Sequence, residues 1–225
     1  MNKYTLYRLM HPIETYFKSR YYLDLADRFE EIYIHRSYKL LYSAITPETT
    51  VLDIGASFGD TAIFFALNPN VKQIFSYEPM PKVFGYLKEN TSNYENIKCI
   101  NKAIGKSQVK HLDKDSFLGS FGKNYDKIDE VDGGEEVASI TLNEALKGLK
   151  KVAIKCDCEG SEGYIFNDAD LSEVYAIQLE YHNNREDVVS AMKEKGFRIV
   201  HEDKQMLDLL GAQREGFGII FAEKK

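Results

Sequence analysis

The amino-acid sequence predicts an α/β fold: a seven-stranded, mostly parallel sheet with helices on both faces and an antiparallel last strand, preceded by a helical N-terminal extension. Three observations predict it. From Thr50 onward, short apolar runs alternate with helical stretches, the pattern of strands buried on both sides. The segment Val51-Leu52-Asp53-Ile54-Gly55-Ala56-Ser57-Phe58-Gly59-Asp60-Thr61 reads as a buried strand, a turn of small residues and a helix start. An acid, Glu78, stands at the end of the second apolar run.

Residues 1–45 form the helical extension, with apolar side chains three and four apart at Leu23, Ala26, Phe29, Ile32 and Tyr33. Residues 46–225 form the α/β domain. Its strands are expected at 51–54, 73–77, 97–100, 152–156, 175–180, 198–201 and 218–222. Its clearest helices are expected at 57–67, 82–90, 142–146 and 185–195, the last closed by Gly196. No clear crossover helix separates the sixth run from the seventh, so the seventh is expected to insert antiparallel. Between Ala103 and Ile140 the alternation lapses into a polar stretch beside a hairpin. That stretch reads either as a flap over a site or as a solvated surface excursion.

Composition excludes several classes. The chain has 225 residues, 44% of them hydrophobic and 28% charged, a balance that folds unaided and is not that of a disordered protein. Its longest apolar run, 62–67, falls short of the roughly 20 residues a membrane-spanning helix needs. Arg8, His11 and Glu14 interrupt any apolar secretory signal, so a cytoplasmic protein with no membrane partner is expected. Cys99, Cys156 and Cys158 make no even framework and are expected reduced. A net charge of −6 gives no general attraction for phosphate backbones, which disfavours nucleic acid and favours a small-molecule substrate. Tyr4, Tyr7, Tyr16, Tyr21 and Tyr22 read as a cap on a substrate pocket, as helix packing or as a dimer contact, which leaves a homo-oligomer open.

The turn narrows the ligand. Gly55, Ala56 and Gly59 offer little obstruction to a ligand that approaches the backbone. Ser57 stands where a dinucleotide fingerprint needs glycine, and no Gly-Lys-Ser/Thr closes a phosphate loop. With no pyrophosphate to hold, Asp53 suits a ligand bearing positive sulfonium and ammonium groups, acting through the loop amides or through water. Glu78, some 20-odd residues on, can accept hydrogen bonds from both hydroxyls of a ribose. The ligand-binding candidates are therefore Asp53, Gly55, Ala56, Ser57, Gly59, Thr61, Glu78 and Pro79. Asn101, Lys102 and Ala103 close the third strand, where they border an adenine ring or form an ordinary strand end.

These residues resemble the class I methyltransferases, and a later segment narrows the likeness. Lys155-Cys156-Asp157-Cys158-Glu159-Gly160-Ser161-Glu162 is similar to the K-x-D-x-E-G-x-E signature of the FkbM family. Glu78-Pro79, Thr141-Leu142 and Leu179-Glu180 support it, so the likeness runs from about Thr50 to the C-terminus. Ser57 stands where that family typically carries asparagine after Gly-Ala. The resemblance implies a Rossmann-like sheet, S-adenosylmethionine as cofactor, and O-methylation, commonly of sugar or natural-product hydroxyls.

A hydroxyl is a poor nucleophile while protonated, so a positioned carboxylate or imidazole would assist its methylation. Strand alternation puts Lys155, Asp157 and Glu159 on one face and both cysteines on the other. Charged groups at the end of an apolar central strand are costly unless paired or used. Asp157, Glu159, Glu180 and His182 are the catalytic candidates, with Asp157 as the general base. His182 reads equally as a surface residue, and Lys155 equally as the structural partner of a carboxylate. Asp157, Glu159, Glu180 and His182 offer oxygen ligands and one imidazole, but their spacing matches no recognised metal signature, so no metal is assigned. Two alternatives stand beside the small-molecule enzyme. An RNA methyltransferase is one, although no Asn-Pro-Pro-Tyr or Asp-Pro-Pro-Tyr occurs at the fourth strand. The other is a partner protein that binds S-adenosylmethionine without catalysis, against which the retained carboxylates speak.

Overall fold

The computed structural model describes residue 32 and residues 37–105, 110–112, 135–158, 161–204 and 216–224. Most of the expected N-terminal helices, the five tyrosines named above, most of the polar stretch and Glu159 lie outside the described residues. In chain order the elements are α1 (Lys39–Ala44), β1 (Thr49–Ile54), α2 (Asp60–Ala66), β2 (Val71–Tyr77), α3 (Pro81–Asn90) and β3 (Ile97–Ile100). Four short strands follow: β4 (Ala103–Ile104), β5 (Lys110–Leu112), β6 (Glu135–Val137) and β7 (Ser139–Ile140). The second half holds α4 (Leu142–Leu146), β8 (Val152–Cys156), α5 (Glu162–Ile165), β9 (Val174–His182), α6 (Arg185–Glu194), β10 (Phe197–Asp203) and β11 (Phe217–Lys224).

Seven strands make one sheet in the order β10-β11-β9-β8-β1-β2-β3. β1 runs parallel to both β2 and β8, β2 to β3, and β8 to β9. β11 inserts antiparallel between β9 and β10, as the missing crossover helix predicts. The sheet is thus Rossmann-like, and its strand order reverses at β1. Open parallel sheets bind ligands at such a switch point, outside the carboxyl ends of the strands. The expected hairpin in the polar stretch corresponds to β5 paired antiparallel with β6.

Period-two alternation sorts the core onto two faces. Leu52, Ile54, Ile154, Cys156, Ile177 and Leu179 point to one face and pack with Phe166, Val188 and Met192. Val51, Ala153 and Ala176 point to the other, where Leu41, Ala62 and Phe65 cover them. On that second face α1 is locked to the sheet by Gln178, which is buried; its Oε1 accepts from Leu41 N at 2.9 Å and its Nε2 donates to Ser37 O. Among the described residues no helix is long and apolar enough to cross a membrane. All three cysteines are free, with Cys156 Sγ and Cys158 Sγ 3.6 Å apart.

Most strands run one to two residues beyond the expected bounds, and the start of α2 differs most. The helix expected from 57 begins at Asp60, because Ser57 (φ 48°) and Gly59 (φ 91°) are both left-handed and form a turn instead. α4 starts where the sequence places it, on a capping box. Thr141 Oγ1 accepts from Glu144 N at 3.1 Å, and Glu144 Oε2 accepts from Thr141 N at 2.8 Å. Thr141→Ala should therefore cost about 1 kcal/mol, read as a lower denaturant midpoint with unchanged slope. An unchanged midpoint would show that the box contributes nothing.

Candidate functional site

Three adjacent strands lay polar side chains across one face of the sheet at its carboxyl end. Asp53 of β1 sits opposite Lys155 of β8 in parallel register. Both are enclosed, at 0% and 2% exposure, with Lys155 Nζ 3.4 Å from Asp53 Oδ1. Thr61 Oγ1 donates to the same carboxylate, and Lys155 Nζ donates to the carbonyls of Ile54 at 3.3 Å and Gly55 at 2.7 Å. Burial is the largest influence on Lys155 and pulls its pKa down. Asp53, then Asp157 and Asp60, outweigh it and hold the ammonium above the usual lysine value. Lys155 thus links Asp53 to the loop through the carbonyls of Ile54 and Gly55.

Gly55 has φ +75°, and a Cβ built there would lie 1.7 Å from the carbonyl oxygen of Asp157. The turn therefore touches the end of β8 backbone to backbone, a contact open only to glycine. Gly55 N and Ala56 N both donate to Tyr77 O, which ties the turn to β2 as well. Gly59 is left-handed too, and a Cβ there would strike Thr91 and Leu87 side chains, so this glycine seats the turn on α3.

Glu78 braces the turn from the next strand. Its Oε2 accepts from Ser57 N at 3.0 Å and its Oε1 from Met80 N at 2.9 Å. A carboxylate has about four acceptor sites, and these two bonds occupy one on each oxygen. Asn101 Nδ2 donates to the carbonyls of Glu78 and Pro79, each at 2.8 Å, and so fixes that corner from behind. Lys102 is half-buried, and its N–H bonds Ile100 O. The Ala103 N–H is taken by Ala138 O at 2.8 Å, in the β4–β7 pairing. Of the eleven ligand-binding candidates, those from Asp53 to Pro79 converge on one turn; Asn101 supports it, and Ala103 has its amide already engaged.

Three of the four catalytic candidates, Asp157, Glu180 and His182, meet at the ends of β8 and β9, and Glu159 lies outside the described residues. His182 is buried, not a surface residue. Its Nε2 lies 3.9 Å from Asp157 Oδ1 and 3.7 Å from Glu180 Oε1, and its Nδ1 lies 3.3 Å from Glu162 Oε1. Phe217 packs edge-on against the imidazole, ring centroids 5.2 Å apart. Asp157 Oδ2 faces Lys155 Nζ at 4.0 Å, and at 23% its side chain is the most open of the group.

Glu162 is the member the sequence reading left out of its candidate set. It is fully buried at the start of α5, where its Oε1 accepts from Cys158 N at 2.8 Å and its Oε2 from Asn184 Nδ2 at 3.3 Å. Burial is the largest influence on Glu162 and pushes its pKa up. The close approach of the His182 imidazole, with the N–H groups of Glu162 and Cys158, outweighs it and leaves the carboxyl below the usual glutamate value. The signal was present as the last letter of K-x-D-x-E-G-x-E, but it falls beyond the strand whose alternation selected Asp157 and Glu159.

A sulfonium nucleoside fits these residues. The turn after β1 is built of small residues, and among the described residues Ser57 Oγ is buried with no hydrogen-bond partner. Glu78 flanks it with its carboxylate. The acidic cluster around His182 lies one strand away, joined to the turn through the Asp157 N–H, which donates to Ile54 O at 3.0 Å.

Residues 53–217 match the model of the methyltransferase FkbM domain. The structure of M. capricolum TrmK in complex with S-adenosyl-homocysteine superposes with a TM-score of 0.50 at 12% identity, covering 84% of this chain and 68% of that one. Precorrin-6y C5,15-methyltransferase from Geobacter metallireducens GS-15 gives 0.47 at 17% identity, over 83% and 87% of the two chains. Ribosomal protein L11 methylase from Lactobacillus delbrueckii subsp. bulgaricus gives 0.49 at 11% identity, over 85% and 78%. At 12% identity the likeness to TrmK is one of fold. No curated protein matches the chain.

Proposed function

The chain belongs to the FkbM methyltransferase family, and from that premise we propose that it methylates a hydroxyl of a sugar or another small molecule, with carboxylate assistance. Its methyl donor is S-adenosylmethionine, which supplies an activated sulfonium methyl group. The observation that carries the proposal is the placement of Asp157, Glu180 and His182 at the carboxyl ends of β8 and β9, beside the Gly55 turn.

The protein's own tasks are to hold the donor and to bring the acceptor oxygen in line with it. The Gly55–Ser57 turn and Glu78 hold the nucleoside, with Asp53, Lys155 and Asn101 as the support beneath. The cluster of Asp157, Glu180 and His182 assists loss of the hydroxyl proton, and Asp157 presents the open edge of that cluster to the acceptor. Glu159, outside the described residues, belongs to the same proposal. Tyr38, just before α1, packs beside the support beneath the turn, its ring centroid 5.7 Å from Lys155 Nζ. A nucleic-acid acceptor is the weaker reading, since the net charge of −6 opposes a phosphate backbone.

Calorimetric titration with S-adenosylmethionine, S-adenosylhomocysteine and NAD tests the donor site, and an acceptor screen beginning with sugars tests the reaction. Glu78→Ala should weaken binding of both sulfur nucleosides by about tenfold or more, the worth of one or two charge-assisted hydrogen bonds. Asp157→Asn should leave donor affinity nearly unchanged and cut turnover by about 100-fold or more. Binding of NAD alone would overturn the donor assignment. Equal losses of donor affinity and turnover in Asp157→Asn would make Asp157 a binding residue.

A further inference from the structure

We propose that the ends of β8 and β9 hold one divalent cation between Asp157 Oδ1, Glu180 Oε1 and His182 Nε2, and that this cation takes an acceptor with two neighbouring hydroxyls. The proposal rests on the methyltransferase reading and names how the acidic cluster serves it.

The spacing comes first. His182 Nε2 stands 3.9 Å from Asp157 Oδ1 and 3.7 Å from Glu180 Oε1. Both separations exceed hydrogen-bond length. They are near the separation of donors that share one ion, because ligands about 2.0–2.2 Å from a metal lie roughly 3–3.4 Å apart around it. Closing each gap takes about half an ångström of side-chain movement.

The second observation is the buried carboxylate behind the imidazole. Glu162 Oε1 faces His182 Nδ1 at 3.3 Å and is itself fixed by the Cys158 N–H. A negative charge there favours the proton on Nδ1, which turns the lone pair of Nε2 toward Asp157 and Glu180. Metal-binding histidines are typically oriented in this way, by a carboxylate on the nitrogen that does not bind. Asp157 divides its oxygens to match: Oδ2 faces Lys155 and Oδ1 faces the gap. Glu162 is also close enough to Asp157 and His182 to share an ion with them, but its oxygens accept from Cys158 N and Asn184 Nδ2 and stand on the Nδ1 side of the ring, so the structure assigns it the supporting place.

The donor set selects the ion and the acceptor. Two carboxylates and one imidazole suit Mn²⁺, Mg²⁺ or Zn²⁺ better than a thiophilic metal. Three protein ligands, one of them open to the outside, leave adjacent coordination positions for two oxygens of a vicinal diol. A hydroxyl bound there loses its proton more readily. The proton passes to water at the mouth lined by Asp157, the new C–O bond forms as the methyl–sulfur bond breaks, and the bonding pair stays on sulfur.

The test uses protein stripped with EDTA, desalted and titrated with Mn²⁺ while the free ion is followed by electron paramagnetic resonance. S-adenosylhomocysteine binding is measured on the same samples. Saturable uptake of about one Mn²⁺ per chain, weakened tenfold or more by His182→Gln and by Asp157→Asn, is the expected result. If His182→Gln no longer binds S-adenosylhomocysteine, the more open Asp157→Asn variant decides. No saturable uptake, or equal uptake by wild type and Asp157→Asn, overturns the cation site while bound S-adenosylhomocysteine leaves the methyltransferase reading standing. Failure of the stripped and the Mn²⁺-loaded wild type to bind S-adenosylhomocysteine counts against that reading instead.

Discussion

Gly55→Ala should abolish measurable binding of S-adenosylhomocysteine. Two costs add at this position. The left-handed backbone at φ +75° costs an alanine about 1–2 kcal/mol. Far larger is the overlap of the new methyl with Asp157 O at 1.7 Å, which no rotamer can relieve because both partners are fixed backbone. Gly55 N is tied to Tyr77 O at 3.0 Å, and Asp157 N to Ile54 O at 3.0 Å. The turn and the end of β8 must part by more than an ångström, and that movement separates the donor cradle from Asp157. Gly148→Ala supplies the control. Its φ of +77° is nearly the same, but a Cβ there meets nothing within 4 Å. That variant should lose only about 1 kcal/mol of stability and keep its affinity. Wild-type affinity in Gly55→Ala would show that the cradle is not the binding site.

The sheet was legible because its strands are short apolar runs buried on both faces, and such runs are strong signals whatever surrounds them. The antiparallel β11 was legible from what is missing between it and β10. The start of α2 was not, because the left-handed Ser57 is a choice made by tertiary contacts, through the bond from its N–H to Glu78. The site divides in the same way. Strand alternation selects Asp157, and the end of the neighbouring strand supplies Glu180 and His182, signals that depend only on position in the chain. The partner of Lys155 depends on strand register across about a hundred residues, which no local pattern carries; nearby carboxylates suggest themselves, whereas Asp53 is the closest. Glu162 acts from a helix that follows the strand, and only its three-dimensional return to His182 reveals it.

Lys155→Met should destabilise the fold by about 3–5 kcal/mol, the usual cost of leaving a buried charge without its partner. Asp53 is fully enclosed and Lys155 is 2% exposed, so water cannot replace the lost ammonium. The carbonyls of Ile54 and Gly55 also lose their donor, so the donor-binding turn loosens along with the pair. Removing both charges reverses much of this. Asp53→Asn combined with Lys155→Met should recover at least about half of the lost stability, because most of the single-variant cost is the stranded carboxylate and not a net gain from the pair. Urea unfolding of the wild type, the two single variants and the double variant closes the cycle. A single-variant loss under about 1 kcal/mol with no coupling to Asp53 would show that the ammonium is not spent on structure. The catalytic reading of Lys155 would then gain, and the same variant should lose turnover while remaining folded.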